Sequence, residues 1–231
     1  MKLLNTLSTS SILSLLILGI CLDTTITAAF SYLNYEPGEN FEECRNNLIN
    51  MRTNFSPCVE LEFTEKEMNE TRQMYGDGSC LRCMHICRKK DIILHCVNVN
   101  LESTKEVSNK SRTMVPFFKE ILEAALSGLC DQNGVFPASN GDEKQCFRKS
   151  WSDCTDHLEF LDHLDIVFFC DSANEEKDPF TKEYVCLRLW DHHECMERSL
   201  KKSCPDLMDL QNAIRNKLIA SESCIKYLNS P

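Results

Sequence analysis

Apolar residues along most of this chain recur every three or four positions, the period of a helix that buries one face. Phe41, Cys44, Leu48 and Met51 form the first such stripe, starting from Asn40. Thr64 and Glu67 have the spacing of a capping box, which predicts a second helix to about Tyr75, ended by Gly76-Asp77-Gly78. Cys80, Cys83 and Cys87 then stand at i, i+3 and i+7, one face of a third helix running towards Cys96. Residues 98–113 are polar and predict a loop or linker. Pro116 reads as the first turn of a new helix, with Phe117, Ile121, Ala125 and Leu129 inward. Asp131 to Glu143 forms the clearest loop in the chain.

The most regular stretch comes next. Phe147, Trp151, Cys154, Leu158 and Leu161 step by four and three, and Leu164 and Phe168 extend the face, which predicts one long helix. A break from Asp171 to Lys177 closes on Asp178-Pro179, an expected N-cap with proline at N1, and a helix from Phe180 towards Lys202. Cys204-Pro205-Asp206 opens the last helix, with Leu207, Leu210, Ile214 and Leu218 inward. The expected fold is all-α, a disulfide-stapled helical bundle of about seven or eight helices. Glycine supply agrees: the chain has seven, and none after Gly141, whereas small turn-rich β scaffolds need many.

The N-terminus changes the compartment. Met1-Lys2 precedes an apolar run from Ile12 to Cys21 and a small-residue exit with Thr27 and Ala29. That is the pattern of a secretory signal peptide over residues 1–29, too short for a comfortable membrane span. Cleavage after Ala29 predicts a secreted, extracellular protein of about 200 residues with no membrane span left.

Secretion in turn decides how the cysteines read. Of fifteen, Cys21 leaves with the signal. The remaining fourteen are Cys44, Cys58, Cys80, Cys83, Cys87, Cys96, Cys130, Cys146, Cys154, Cys170, Cys186, Cys195, Cys204 and Cys224. An even number in a secreted chain predicts full pairing, up to seven bridges, among roughly 10^5 connectivities. Cys80, Cys83 and Cys87 with His85 could also hold zinc, and Cys80-x-x-Cys83 could be a redox pair. Both readings need free thiolates, and no strand precedes the motif, so staples are the expectation.

Two similar halves, 30–130 and 146–231 about a loop at 131–145, are one expected organisation; a single compact unit is the other. Cys80-Leu81-Arg82 recurs as Cys186-Leu187-Arg188, and Cys87-x8-Cys96 recurs as Cys186-x8-Cys195. Each half would hold seven cysteines, so at least one bridge must cross between them.

Candidate chemistry is sparse. The net charge of −10 is unfavourable for nucleic acid or anionic surfaces. Sequons occur at Asn54, Asn69 and Asn109, with Pro57 following the first. Asp156, Glu159 and His163 make a stripe that could hold a divalent metal but reads better as a solvated acidic face. Asp191, His192, His193 and Glu194 are consecutive, about 100° apart on a helix, and cannot converge on one ion without a second element. Asp131-Gln132-Asn133-Gly134 begins like a calcium loop and fails at Val135 and Phe136. Hydrolase, zincin, phosphate-loop and dinucleotide motifs are absent, so no catalytic, cofactor or metal residue is predicted. Arg88-Lys89-Lys90 and Lys201-Lys202 read as solvated helix faces rather than processing sites.

The stretch LCDQNGVFPASNGDEKQCFRKSWSDC, Leu129 to Cys154, with the cysteine-studded helices around it, resembles the secreted cysteine-rich helical proteins of nematodes and arthropods, including centipede venom proteins. That resemblance implies a gland, surface-coat or body-fluid protein without catalytic residues to carry over. Cys58, Cys83, Cys87, Cys130, Cys146 and Cys154 are similar in spacing to insect odorant-binding proteins, though the final gap is seven residues instead of eight. The functional expectation is non-enzymatic binding of an extracellular macromolecule. The alternative is a carrier of small lipophilic ligands, with Phe147, Trp151, Leu158 and Phe168 lining its cavity.

Overall fold

The structure is a computed structural model that describes residues 35–76, 81–131 and 141–228; the side chains of 51–57 and 141–144 lie outside that description. The expected signal peptide, the expected Gly-Asp-Gly break beyond Gly76, Cys80 and most of the stretch 131–145 expected to be a loop also fall outside it. The described chain is a disulfide-stapled all-α bundle of nine α-helices, without a strand among the described residues. They are α1 (Phe41–Glu60), α2 (Glu65–Tyr75), α3 (Leu81–Arg88), α4 (Lys90–Thr104), α5 (Asn109–Cys130), α6 (Gly141–Cys154), α7 (Lys182–Ser203), α8 (Met208–Ile219) and α9 (Glu222–Leu228).

The central helix is α5. Ser108 accepts a hydrogen bond from the Ser111 amide, and the Ser111 hydroxyl takes the Ser108 amide, a reciprocal cap that starts the helix well before Pro116. This overturns the expected loop at 98–113: α4 runs through to Thr104, burying Val97, Leu101 and Thr104, and only residues 105–108 separate it from α5. Pro116 lies inside α5, not at its start. Both Pro116 and Arg112 are exposed, so the carbonyl that loses its N–H partner faces water.

One apolar cluster runs through both predicted halves. Phe117 and Phe118 from α5 meet Phe168, the Phe118–Phe168 centroids 4.6 Å apart, and the same cluster takes in Leu210, Leu218 and Cys224. A second, smaller cluster joins Cys154, Met196, Leu200, Cys204 and Leu207 between α6 and α7. The expected inward residues Phe117, Ile121, Ala125, Leu129, Leu207, Leu210 and Leu218 are all buried.

Gly128 sets how closely α5 approaches α8. A Cβ there would fall 2.5 Å from the Ile214 Cα and 3.0 Å from the Ala213 carbonyl, both rigid backbone atoms. Alanine would gain up to about 1 kcal/mol of helix propensity, but prying two packed helices apart costs about 1–3 kcal/mol. Gly128→Ala is expected to lower stability by about 1–2 kcal/mol net, read by denaturant unfolding with the disulfides intact.

The long helix expected from Phe147 to Phe168 is interrupted. After Cys154 the chain tightens into a 3-10 segment, Thr155–His163, then a single π turn, Asp165–Phe169, closed by the Cys170 amide on the Asp165 carbonyl at 2.7 Å. The reason lies in the side chains. Thr155 donates to the Trp151 carbonyl, and His192 takes the Cys154 carbonyl, so both compete with the next helical turn. Leu158, Leu161 and Leu164 step by three, which suits a three-residue turn as well as an α-helix. The N-cap of α7 is likewise Thr181 rather than Asp178, and α6 starts at Gly141, inside the stretch expected to be a loop.

Six bridges are described: Cys44–Cys170, Cys58–Cys96, Cys87–Cys130, Cys146–Cys204, Cys154–Cys195 and Cys186–Cys224. Cys83 is also disulfide-bonded. Among the six, Cys44–Cys170 alone crosses from the first predicted half to the second. The rest repeat a pattern. Cys58–Cys96 with Cys87–Cys130 is a crossed pairing about Cys87-x8-Cys96, and Cys154–Cys195 with Cys186–Cys224 is the same crossing about Cys186-x8-Cys195. Two helices, α2 and α8, carry no cysteine at all. They are the two that the polar contacts below hold in place.

Candidate functional site

Buried polar groups gather at three seams of the bundle. The first surrounds the N-terminus of α5. Lys110 is nearly buried; its ammonium donates to Asp178 at 2.7 Å and to the Ile166 carbonyl at 2.5 Å, and lies 5.7 and 5.5 Å from the rings of Tyr35 and Phe180. Burial pushes the lysine below its ordinary value, and Asp178 opposes that. Asp171 accepts from the Asn109 and Lys110 amides, so a carboxylate occupies the positive end of the helix. The Tyr35 hydroxyl donates to the Asp171 carbonyl at 3.0 Å, and burial raises it far above its usual value.

Asp165 sits in the same region. It is 1 % exposed; Oδ1 accepts from the Ile166 amide, while Oδ2 faces the Arg45 Nε at 3.8 Å. Burial pushes this carboxyl up. The Gly38 amide on the Asp171 carbonyl and the Ala173 amide on the Glu36 carbonyl fasten the segment before α1 over this group.

The second seam joins α2 to the break between α3 and α4. Thr64 caps α2 by accepting from the Glu67 amide, but the Glu67 carboxylate turns to Lys89 at 2.6 Å and Arg88 at 3.3 Å instead of closing the box. The Lys89 ammonium holds Glu67 below the ordinary carboxylate value and is itself raised by Glu67 and Glu62. Beneath it His85 is fully buried, its Nε2 donating to the Glu62 carbonyl and its Nδ1 meeting the Thr71 hydroxyl at 2.7 Å. Desolvation lowers His85. Arg88 and Lys89 therefore form a partly buried ion-pair network, not the solvated face expected of Arg88-Lys89-Lys90; Lys90 donates to Ser127 on α5.

The third seam is α7 against α6 and α8. His192 and His193 are 3 % and 6 % exposed, with ring centroids 5.7 Å apart. His192 Nδ1 donates to the Cys154 carbonyl at 3.1 Å and its ring stands edge-on to Trp151 at 4.7 Å. His193 Nδ1 accepts from the Gln211 amide at 2.5 Å. Burial lowers His192 to about 4 and His193 to about 3.

The remaining expected sites separate cleanly. Asp156 and Glu159 are exposed on the 3-10 segment, with His163 half-buried, so their α-helical register does not form. Asp191 and Glu194 do not join the histidines, which turn to different helices. Among the described residues no group of three or more His, Cys, Asp or Glu side chains could hold a metal ion. Lys201 and Lys202 are exposed in the last turn of α7. Asn109 is exposed at the first position of α5, and Asn69 is half-buried and bonded to Arg72; the Asn54 side chain lies outside the described residues. The sequon hydroxyls of Thr71 and Ser111 are fully buried.

No family model, no curated protein and no solved structure matches the chain.

Sequence reasoning missed Tyr35, Arg45, Lys110 and Asp165, and read Asp178 as an N-cap instead of the partner of a buried lysine. For Asp165 a signal existed: a lone carboxylate inside Leu164-Asp165-Ile166-Val167-Phe168-Phe169, where burial of the neighbours carries the charge inward. Lys110 had none, since it lies among polar residues.

Proposed function

We propose that this chain is a secreted, non-enzymatic protein that binds an extracellular macromolecule through the surface of its stapled bundle. The observation that carries this reading is where the chain spends its polar and covalent contacts. Buried ion pairs, histidines and bridges join one segment of the bundle to another, so they serve the frame. Asp156 and His163 lie on the 3-10 segment, the first exposed and the second half-buried, and His193 is buried in the seam of α7 with α8. Stapling restricts the unfolded chain and suits a protein exposed to heat and proteases outside the cell. No helix among the described residues is long and apolar enough to cross a membrane.

The carrier reading is the alternative. Against it, Phe168 and Leu158 belong to the main packed cluster, and Trp151 stacks on Phe147 at 6.4 Å while meeting His192. Three of the six cysteines with odorant-binding spacing, Cys58, Cys146 and Cys154, are bonded to cysteines outside that set. Titration with a fluorescent fatty-acid analogue separates the readings. The surface binder leaves the probe free at micromolar concentrations; saturable one-to-one uptake would establish the carrier instead. Single changes of Asp156, His163 and His193 test the enzyme class, which survives only if one of them abolishes an activity of the purified protein.

A further inference from the structure

We propose that the seam of α7 with α6 and α8 is an acid-operated latch: protonation of His192 and His193 parts these helices reversibly while disulfides keep them tethered. The two imidazoles are adjacent in sequence yet serve different neighbours. His192 ties α7 to the C-terminal carbonyl of α6, and His193 ties it to Gln211 on α8. A proton on His193 displaces its hydrogen bond, whereas a proton on His192 keeps the bond to the Cys154 carbonyl and is opposed by the burial of the ring. The bond from Gln211 occupies His193 Nδ1, the atom where the proton would enter. On His192 the free atom is Nε2, on a ring 3 % exposed that stands against Trp151 and His193.

The surroundings offer an imidazolium little relief. The charged neighbours acting on the pair are His157, itself bonded to Arg188, and Arg215 on α8. Arg215 is committed to Glu197 at 3.2 Å and lies over the Trp190 ring. Among the described residues, Asp153 on α6, Asp156, Glu159 and Asp162 on the 3-10 segment, Glu194 on α7, Asp206 before α8 and Asp209 on it are all exposed. Asp191 is drawn to Arg188 at 4.0 Å. Ser150 and Ser199, bonded to each other across the α6–α7 contact, are neutral.

The direction with pH follows from the proton count. Closed, both rings are neutral; open, each titrates near its ordinary value of about 6.5. The closed state is fully favoured above that value. As pH falls from there towards about 4, the open state binds more protons, and opening gains up to about tenfold per pH unit for each histidine, about a hundredfold for the two. Opening would uncover the cluster of Met196, Leu200 and Leu207, each fully buried when closed. Cys146–Cys204 and Cys154–Cys195 hold α6 to α7 throughout, and Cys186–Cys224 holds α7 to α9, so neutralisation can restore the seam.

The test uses the full, disulfide-intact protein titrated from pH 7.5 to 3.5, followed by an apolar-surface dye, tryptophan fluorescence and far-UV circular dichroism. The expected result is a several-fold rise in dye emission between about pH 6 and 4, with helical signal retained and full reversal at pH 7. The His192→Gln/His193→Gln double variant should lower the midpoint by more than about one pH unit. Should that variant fail to fold, histidine NMR titration of the unaltered protein decides. Two imidazoles that stay neutral until the dye signal changes support the latch. Absence of any transition, loss of helix together with dye binding, an unchanged midpoint in the double variant, or six histidines titrating near 6.5 overturns it.

Discussion

Replacing Cys44 and Cys170 together with alanine is expected to lower the free energy of unfolding by about 5 kcal/mol, more than the loss of any other described bridge. The bridge closes a loop with a sequence separation of 126, and the chain-entropy estimate for such a loop is about 5 kcal/mol. For Cys58–Cys96, at a separation of 38, the same estimate is about 4 kcal/mol. Both half-cystines are buried beside the segment that Tyr35 fastens to Asp171, so their removal also leaves a small void. Guanidinium unfolding with the other bridges intact measures the change. A single transition shifted to lower denaturant is expected, because Phe117, Phe118, Phe168, Leu210 and Leu218 form one cluster across both stretches. Two separated transitions, or a loss below about 1 kcal/mol, would show that the stretches fold as independent bodies.

The second large effect concerns a charge. Asp178→Asn should cost about 3 kcal/mol, since it leaves the Lys110 ammonium buried without its ion-pair partner, among neutral oxygens and two ring faces with only the Asp171 carboxylate to offset its charge. Lys110→Met should cost about as much for the converse reason, although its stem keeps packing on Tyr35 and Phe180. The double replacement Lys110→Met/Asp178→Leu should recover much of that loss, because a buried pair replaced by apolar groups of similar size is often neutral. A double-mutant cycle completed with the Asp178→Leu single variant, read by denaturant unfolding, measures this coupling. Additive losses would mean that the pair lies in water rather than in the interior, against side-chain exposures of 9 % and 10 %.

Much of this bundle is legible in the sequence, because helical period and cap chemistry are local. The stripe from Phe41 to Leu48 and the one from Phe117 to Leu129 name the buried face, and Thr64 marks the start of α2. Reading fails where a side chain far along the chain competes with the local signal. The Phe147–Phe168 stripe breaks because His192 takes the Cys154 carbonyl from a position 38 residues away. Pro116 suggests a start that Ser108 and Ser111 had already provided. Glu67 looks like half of a capping box, and its carboxylate is taken by Lys89 and Arg88. The cysteine spacing shows that a bridge must cross between the halves, but only tertiary geometry selects Cys44 and Cys170. The histidine pair is visible as a motif whose rings diverge on one helix, but their burial against two different neighbours is not.

The most direct test of cysteines as staples in a helical frame is disulfide mapping of the protein purified from its natural source. Peptides from a non-reducing digest at low pH would be joined to an intact mass after deglycosylation. The expected result is a mature chain beginning near residue 30, fourteen hydrogens lighter than its reduced form, with Cys44 linked to Cys170 and the two crossed pairs around Cys87-x8-Cys96 and Cys186-x8-Cys195. Free thiols, a bound metal, or Cys44 linked within its own half would contradict it.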